Sequence, residues 1–301
     1  MKREEIRICV LRVGGTNCDA ETKRSFEELG VGAEVVHVNE LLRRHSLLDY
    51  SALVFPGGFS FGDYVRAGAI WAKWVVAKLG KELETFVNEN RPILGICNGF
   101  QVLVEAGLLP GFEGTSSYPE AALATNEPPR YNCRWISLKH ESNGKCASTW
   151  KIPKGKVLRM PVAHGEGRFM FAKEKEKQLL EKLYENDQLV FRYCSENGKY
   201  AEEKYPTNPN GSYYDIAGIC NPEGTVFGLM PHPERAFHWW QQPEWTKQRQ
   251  MTEYGDGKLI FESLVSYLEK KCCARNCLSL NQACVRLNPR ASADLFLHPC
   301  S

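Results

Sequence analysis

The stretch ILGICNGFQVL, residues 93 to 103, sets a lone cysteine between two glycines where an apolar run gives way to a helical pattern. Ligands of open α/β sheets sit beyond the carboxyl ends of the strands. A nucleophile elbow delivers a side chain there by a sharp strand-turn-helix, with small neighbours to avoid clashes. Gly95, Cys97 and Gly99 meet that demand, and the start of a helix favours a thiolate through its dipole and free amides. A buried cysteine in a tight turn makes the same pattern, so this stretch alone leaves both readings open.

A thiolate nucleophile needs a base, and MPHPERA (230–236) offers one. Prolines on both sides of His232 block a helix and hold the backbone extended. Residues i and i+2 of an extended segment share a side, which pairs His232 with Glu234. A carboxylate beside an imidazole fixes its tautomer and stabilises the imidazolium. Acyl transfer also needs donors where negative charge develops on oxygen. FPGGFSFGDYVRAG (55–68) has consecutive glycines, Gly57 and Gly58, whose amides can form such a nest. A plain β-turn is the alternative there. The other glycine-bearing turn, GGTNCD (14–19), lacks the G-x-G-x-x-G spacing of a dinucleotide site.

AHGEGRF (163–169) puts His164, Gly165 and Glu166 in a glycine-rich loop, either a pocket wall or a solvated turn. FHWWQQPEW (237–245) is an aromatic cluster, read equally as a satellite core or a docking surface. Cys9 and Cys220 lie in apolar strands and read as inert core residues.

These residues need a frame. Strands are expected at 6–13, 33–38, 52–58 and 92–96, with helices at 20–30, 69–90 and 99–109 between or after them. Alternation at that spacing predicts a parallel sheet wound on both faces. The second half differs, with strands at 134–140, 156–164, 188–194 and 215–232, the last folded into a hairpin at NPEG (221–224). An amphipathic helix follows at 258–271. Polar loops are expected at 115–130 and 196–213.

The net charge of +2 over 301 residues gives no reason to propose nucleic acid or an anionic membrane as a partner. MKREEIRICVLRVGG contains no apolar signal region, and no window approaches a membrane span, so the chain is expected in the cytoplasm. Seven cysteines are scattered through residues 1–271 with no C-x-x-C pair, which speaks against a metal site or a disulfide framework there. Five crowd into residues 272–301, which share none of the preceding periodicity. That segment reads as a disordered or non-native tail, with a Cys-rich metal or redox tail as the alternative. One domain is therefore expected over 6–271.

Cys97 within GICNGFQ, followed far downstream by PHPE, resembles the class I (triad) glutamine amidotransferase family. With FPGGFSFGDYVRAG, GTNCD, ATN (124–126) and AHGEGRF, the match over 6–271 resembles the branch that serves phosphoribosylformylglycinamidine synthase. The resemblance implies a flavodoxin-like α/β fold, an open and mostly parallel sheet with helices on both faces and a small antiparallel extension. It implies that Cys97 attacks the glutamine amide to give a γ-glutamyl thioester, that His232 moves the protons, and that Glu234 orients His232. It assigns the oxyanion hole to Gly57, Gly58 and Asn98, and substrate contacts to Gln101, His164, Gly165 and Glu166. Ammonia would pass to a separate synthetase subunit, which uses ATP and Mg, with a small bridging subunit in the same complex. No cofactor is expected in this chain, and no G-x-x-x-x-G-K-[ST] occurs in it. The rivals are a γ-glutamyl hydrolase or peptidase-like enzyme on the same fold, and a non-catalytic regulatory subunit.

Overall fold

Three four-residue strands, β3 (Ala52–Phe55), β4 (Ile93–Ile96) and β11 (Val226–Leu229), are buried at every position. A strand without polar alternation must be covered on both faces, which is how parallel sheets are built. The computed structural model, which describes residues 2–43, 45–247 and 253–271, bears this out. The tail at 272–301 lies outside the described residues.

In chain order the elements are β1 (Arg7–Arg12), α1 (Asp19–Glu27), β2 (Gly32–His37), α2 (Val38–Leu41), β3, α3 (Ala69–Asn88), β4, α4 (Asn98–Glu105), β5 (Ala122–Ala124), β6 (Asn132–His140), β7 (Val157–His164), β8 (Arg168–Met170), α5 (Glu176–Glu185), β9 (Leu189–Cys194), β10 (Ile216–Cys220) and β11, with a last helix, α6, at 258–271. One sheet holds nine strands in the order β2-β1-β3-β4-β11-β10-β9-β6-β7. The first five run parallel; from β11 onward each neighbour is antiparallel. The antiparallel extension is thus four strands wide and belongs to the main sheet.

The chain steps one way along the sheet from β1 to β2 and the other way from β3 to β4. Right-handed crossovers then put α1 and α3 on opposite faces. On one face Trp71, Val75, Leu79, Leu83 and Phe86 form the buried stripe of α3, and Trp71 meets Phe55 of β3 at 5.3 Å between rings. Towards the other, Phe26 of α1 meets Phe261 of α6 edge-on at 5.0 Å. The hairpin at NPEG forms as expected: Asn221 accepts the amides of Thr225 and Val226 through its side-chain oxygen, at 2.8 Å each.

Four elements were not anticipated, the first of them the single-turn helix α2 directly after β2. β5 and β8 make a separate two-stranded sheet, β5 inside the expected polar loop at 115–130. Helix α5 buries only Leu183 fully, and its other positions are exposed or half-buried, which leaves little apolar periodicity to read.

Candidate active site

β4 and β11 are neighbours, with Ile96 in register with Leu229, so both end at the same level. Cys97 follows β4 directly, and its amide donates to Leu229 O at 2.8 Å. Its φ of +50° lies in the left-handed region. Such a conformation costs on the order of 1–3 kcal/mol for a residue with a Cβ, and it turns the side chain out of the strand at the head of α4. Gly99 is what permits the turn: a Cβ there would lie 1.9 Å from Phe55 O.

His232 comes off β11 three residues past Leu229. Its amide donates to Pro161 O of β7 at 2.9 Å, pinning the segment to the far end of the same sheet. The predicted His232–Glu234 pair forms, Nδ1 to Oε1 at 2.5 Å, with both residues buried. The route differs from the expected one. His232 is extended, but Pro233–Arg235 is a turn of 3₁₀ helix, so Glu234 reaches the ring by folding back rather than by strand alternation. Gln241 Nε2 donates to Glu234 O at 3.0 Å and steadies that turn.

Burial works against charge on His232, yet the negative charges of Glu234 and Cys97 hold its pKa well above the ordinary imidazole value. His232 is therefore held toward the imidazolium form beside Cys97. With Nδ1 committed to Glu234, Nε2 is the nitrogen left for chemistry, and it is buried. The Cys97 thiol lies 3.7 Å from Ala163 O of β7.

The glycine turn closes over the ring. A Cβ on Gly57 would fall 2.7 Å from His232 Cε1 and 3.1 Å from Cys18 Sγ. Gly57 O accepts the amides of Asn17 and Cys18, which locks the turn to the GGTNCD loop. Among the described residues the amides of Gly57 and Gly58 donate to no protein acceptor, as an anion-binding nest requires. Asn98 opens α4, so its amide has no partner within the helix. Its side chain is a brace: Oδ1 accepts Ser60 N at 3.2 Å and Nδ2 donates to Gln101 Oε1 at 2.9 Å.

The side chain of Gln101 is braced at both ends. Nε2 donates to Glu166 O at 2.5 Å while Oε1 takes Asn98, so both ends of its amide tie the elbow to the 163–169 loop. Glu166 Oε2 accepts Ala67 N at 3.0 Å, and Gly165 O accepts Asn126 N at 2.9 Å. Gln101, Gly165 and Glu166 thus build the wall, and His164 is buried in it.

Four contributors were not singled out beforehand. Asn126, the last residue of ATN, bonds His164 O, Arg130 O and Gly167 N and faces His164 Nδ1. Arg66 grips Glu105 of α4 with two hydrogen bonds and ties down the end of the 55–68 loop. Asp63 in that loop has its carboxyl pushed up to about 6 by burial and by the charge of Glu166. Cys18 lies 3.9 Å from His232 Nδ1 and accepts Arg235 Nη2 at 3.1 Å; burial pushes its thiol up to about 11, so it stays protonated beside the reactive pair. Cys18, His232 and Glu234 are the one group of such donors among the described residues close enough to share a metal ion, within 4.8 Å of one another. Each is already engaged, His232 by Glu234 and Cys18 by Arg235. No helix among the described residues is long and apolar enough to cross a membrane.

Residues 5–268 match the family model of the CobB/CobQ-like glutamine amidotransferase domain. A phosphoribosylformylglycinamidine synthase subunit PurQ from Archaeoglobus fulgidus is 52% identical over 280 residues, covering 90% of this chain and all of that one. The protein of the same name from Methanothrix thermoacetophila is 41% identical, covering 88% and 99%. Among solved structures, PurLQS from Thermotoga maritima superposes with a TM-score of 0.65 at 33% identity, covering 88% of this chain and 99% of that one. A putative GMP synthase component from Thermoplasma acidophilum shares the fold at 14% identity and a TM-score of 0.51, covering 91% and 98%.

Proposed function

This chain belongs to the CobB/CobQ-like glutamine amidotransferase family, and on that premise we propose that it is the glutaminase subunit of a phosphoribosylformylglycinamidine synthase. The observation that carries the chemistry is the strained Cys97 elbow level with the His232–Glu234 pair at the ends of two adjacent parallel strands. The Cys97 thiolate attacks the side-chain carbonyl carbon of glutamine. Oxygen charge develops toward the amides of Gly57, Gly58 and Asn98. His232 gives its Nε2 proton to the nitrogen, the C–N bond breaks, and ammonia leaves a γ-glutamyl thioester. Water activated by the now neutral His232 then releases glutamate.

The relatives are named as subunits of phosphoribosylformylglycinamidine synthase, and the resemblance to that branch implies where the ammonia goes. Ammonia passes to a separate synthetase subunit, where ATP with Mg activates formylglycinamide ribonucleotide for conversion to formylglycinamidine ribonucleotide. A small bridging subunit completes the complex, and no cofactor resides in this chain. The seven free cysteines among the described residues accord with the reducing cytoplasm.

Cys97→Ala, reconstituted with the synthetase, is expected to abolish glutamine-dependent product formation and to keep the ammonia-dependent rate. Glutamine-dependent turnover in this variant would overturn the assignment of the nucleophile. Loss of both activities would point to a structural role for Cys97.

A further inference from the structure

His164 ends β7 and is buried, with Nδ1 3.2 Å from Asn126 Oδ1. That oxygen also accepts Gly167 N at 2.8 Å, and the Asn126 amide donates to His164 O and to Arg130 O. The amide orientation is thereby fixed with oxygen toward the ring, so His164 Nδ1 must be the protonated nitrogen. Its Nε2 is then a bare lone pair, and it has no partner among the described residues. Leaving a buried acceptor empty costs about 1–3 kcal/mol, a cost tolerated where a ligand supplies the donor. The carbonyl of the preceding residue, Ala163, is the one beside Cys97 Sγ. The buried hydroxyl of Tyr193 accepts Asn210 Nδ2 at 3.1 Å, whereas His164 Nε2 takes no donor among the described residues.

We propose that His164 Nε2 accepts a hydrogen bond from the nitrogen that leaves glutamine, orienting the carboxamide for its protonation and giving released ammonia its first holding point. This rests on the glutaminase reading above. Sγ bonds to the carbonyl carbon, the C–N bond breaks with its electron pair going to nitrogen, and the proton comes from His232 Nε2. The nitrogen leaves as NH₃ with N–H groups to donate. His164 contributes only its lone pair and takes no proton, since burial first, and then the charge of His232, lowers its pKa to about 3. An acceptor of that kind holds ammonia as the free base, the form that can act as a nucleophile elsewhere. The α-ammonium of glutamine is the other donor available; the carbonyl of Ala163, next to His164 in the chain, lies 3.7 Å from Cys97 Sγ, which favours the carboxamide end.

The test is to change the leaving group. In the full chain with its synthetase partner, His164→Asn keeps a donor for Asn126 and removes the distal acceptor. Expected is a loss of about thirtyfold in kcat on glutamine with a near-normal KM, the size of one lost buried hydrogen bond. The γ-methyl ester of glutamate, whose leaving oxygen carries no N–H, should be cleaved at close to the wild-type rate. His164→Gln, which can present an oxygen near the Nε2 position, should recover much of the glutamine rate. Wild-type labelling of Cys97 by a γ-glutamyl chloroketone verifies that the pocket is intact. Equal losses on amide and ester would overturn the proposal in favour of a packing role. So would a rise in KM alone on both substrates, the mark of an α-ammonium contact. Activity surviving in Cys97→Ala would instead sink the glutaminase reading, independently of either result.

Discussion

Two buried imidazoles stand in one site and behave as opposites. His232 meets a carboxylate at Nδ1 and is held as an imidazolium; His164 meets a carboxamide at Nδ1 and is held neutral. Burial pushes both in the same direction, toward the neutral ring. What separates them is the charge on the oxygen each nitrogen faces, the field of Cys97 at His232, and the charge of His232 itself at His164. One becomes a proton carrier and the other a fixed lone pair. The two roles could not be exchanged without exchanging the oxygens.

Swapping those oxygens is the strongest way to break the contrast. Glu234→Gln gives His232 the kind of neighbour that His164 has. It should cut glutamine turnover by about 10²–10⁴-fold, as removal of a triad carboxylate does elsewhere. A fall of less than fivefold, measured as kcat at neutral pH, would mean that Cys97 alone maintains the imidazolium. The reciprocal change, Asn126→Asp, gives His164 a carboxylate. Its pKa should leave the range near 3, visible as imidazolium signals of His164 in nitrogen NMR near neutral pH, and kcat on glutamine should drop about tenfold. A ring that stays neutral in this variant would show that burial alone sets its state.

The smallest effect lies in stability against pH. His232 has its folded pKa raised above the unfolded value of about 6.5, so its contribution is complete below that pH and is lost as pH rises through the folded value. His164 has its folded pKa lowered to about 3, so its contribution is complete above about 6.5 and is lost as pH falls toward 3. The melting-temperature gap between wild type and Glu234→Gln should therefore narrow on going alkaline. The gap for His164→Asn should narrow on going acid, each by about 2–5 °C. Parallel melting curves across pH would contradict the opposed charge states.

The contrast also divides what could be read in the sequence from what could not. Cys97 was legible because an elbow is a local steric problem: Gly95 and Gly99 sit within two residues of it. His232 and Glu234 were legible as a pair for the same reason, although the 3₁₀ turn that joins them depends on docking to β7 and Gln241 rather than on local propensity. His164 was visible only as a residue of a glycine-rich loop, since what defines it is Asn126, 38 residues away. Cys18 reaches His232 across 214 residues and Arg235 across 217, separations at which no spacing rule operates. Gln101 was legible only through the resemblance, as a substrate contact; that both ends of its amide brace the elbow against the 163–169 loop depends on Glu166, 65 residues away.

At the far side of the sheet β7 is the last strand in the order, and an uncovered outer strand offers its amides and carbonyls to any other chain. Here Arg159 N is taken by Asp256, Pro161 O by the amide of His232, and Ala163 O lies beside the Cys97 thiol. The reactive turn thus doubles as the cap that keeps the sheet from growing by strand addition. Loosening that turn would expose an adhesive edge while disarming the enzyme, so inactivation and self-association should set in together.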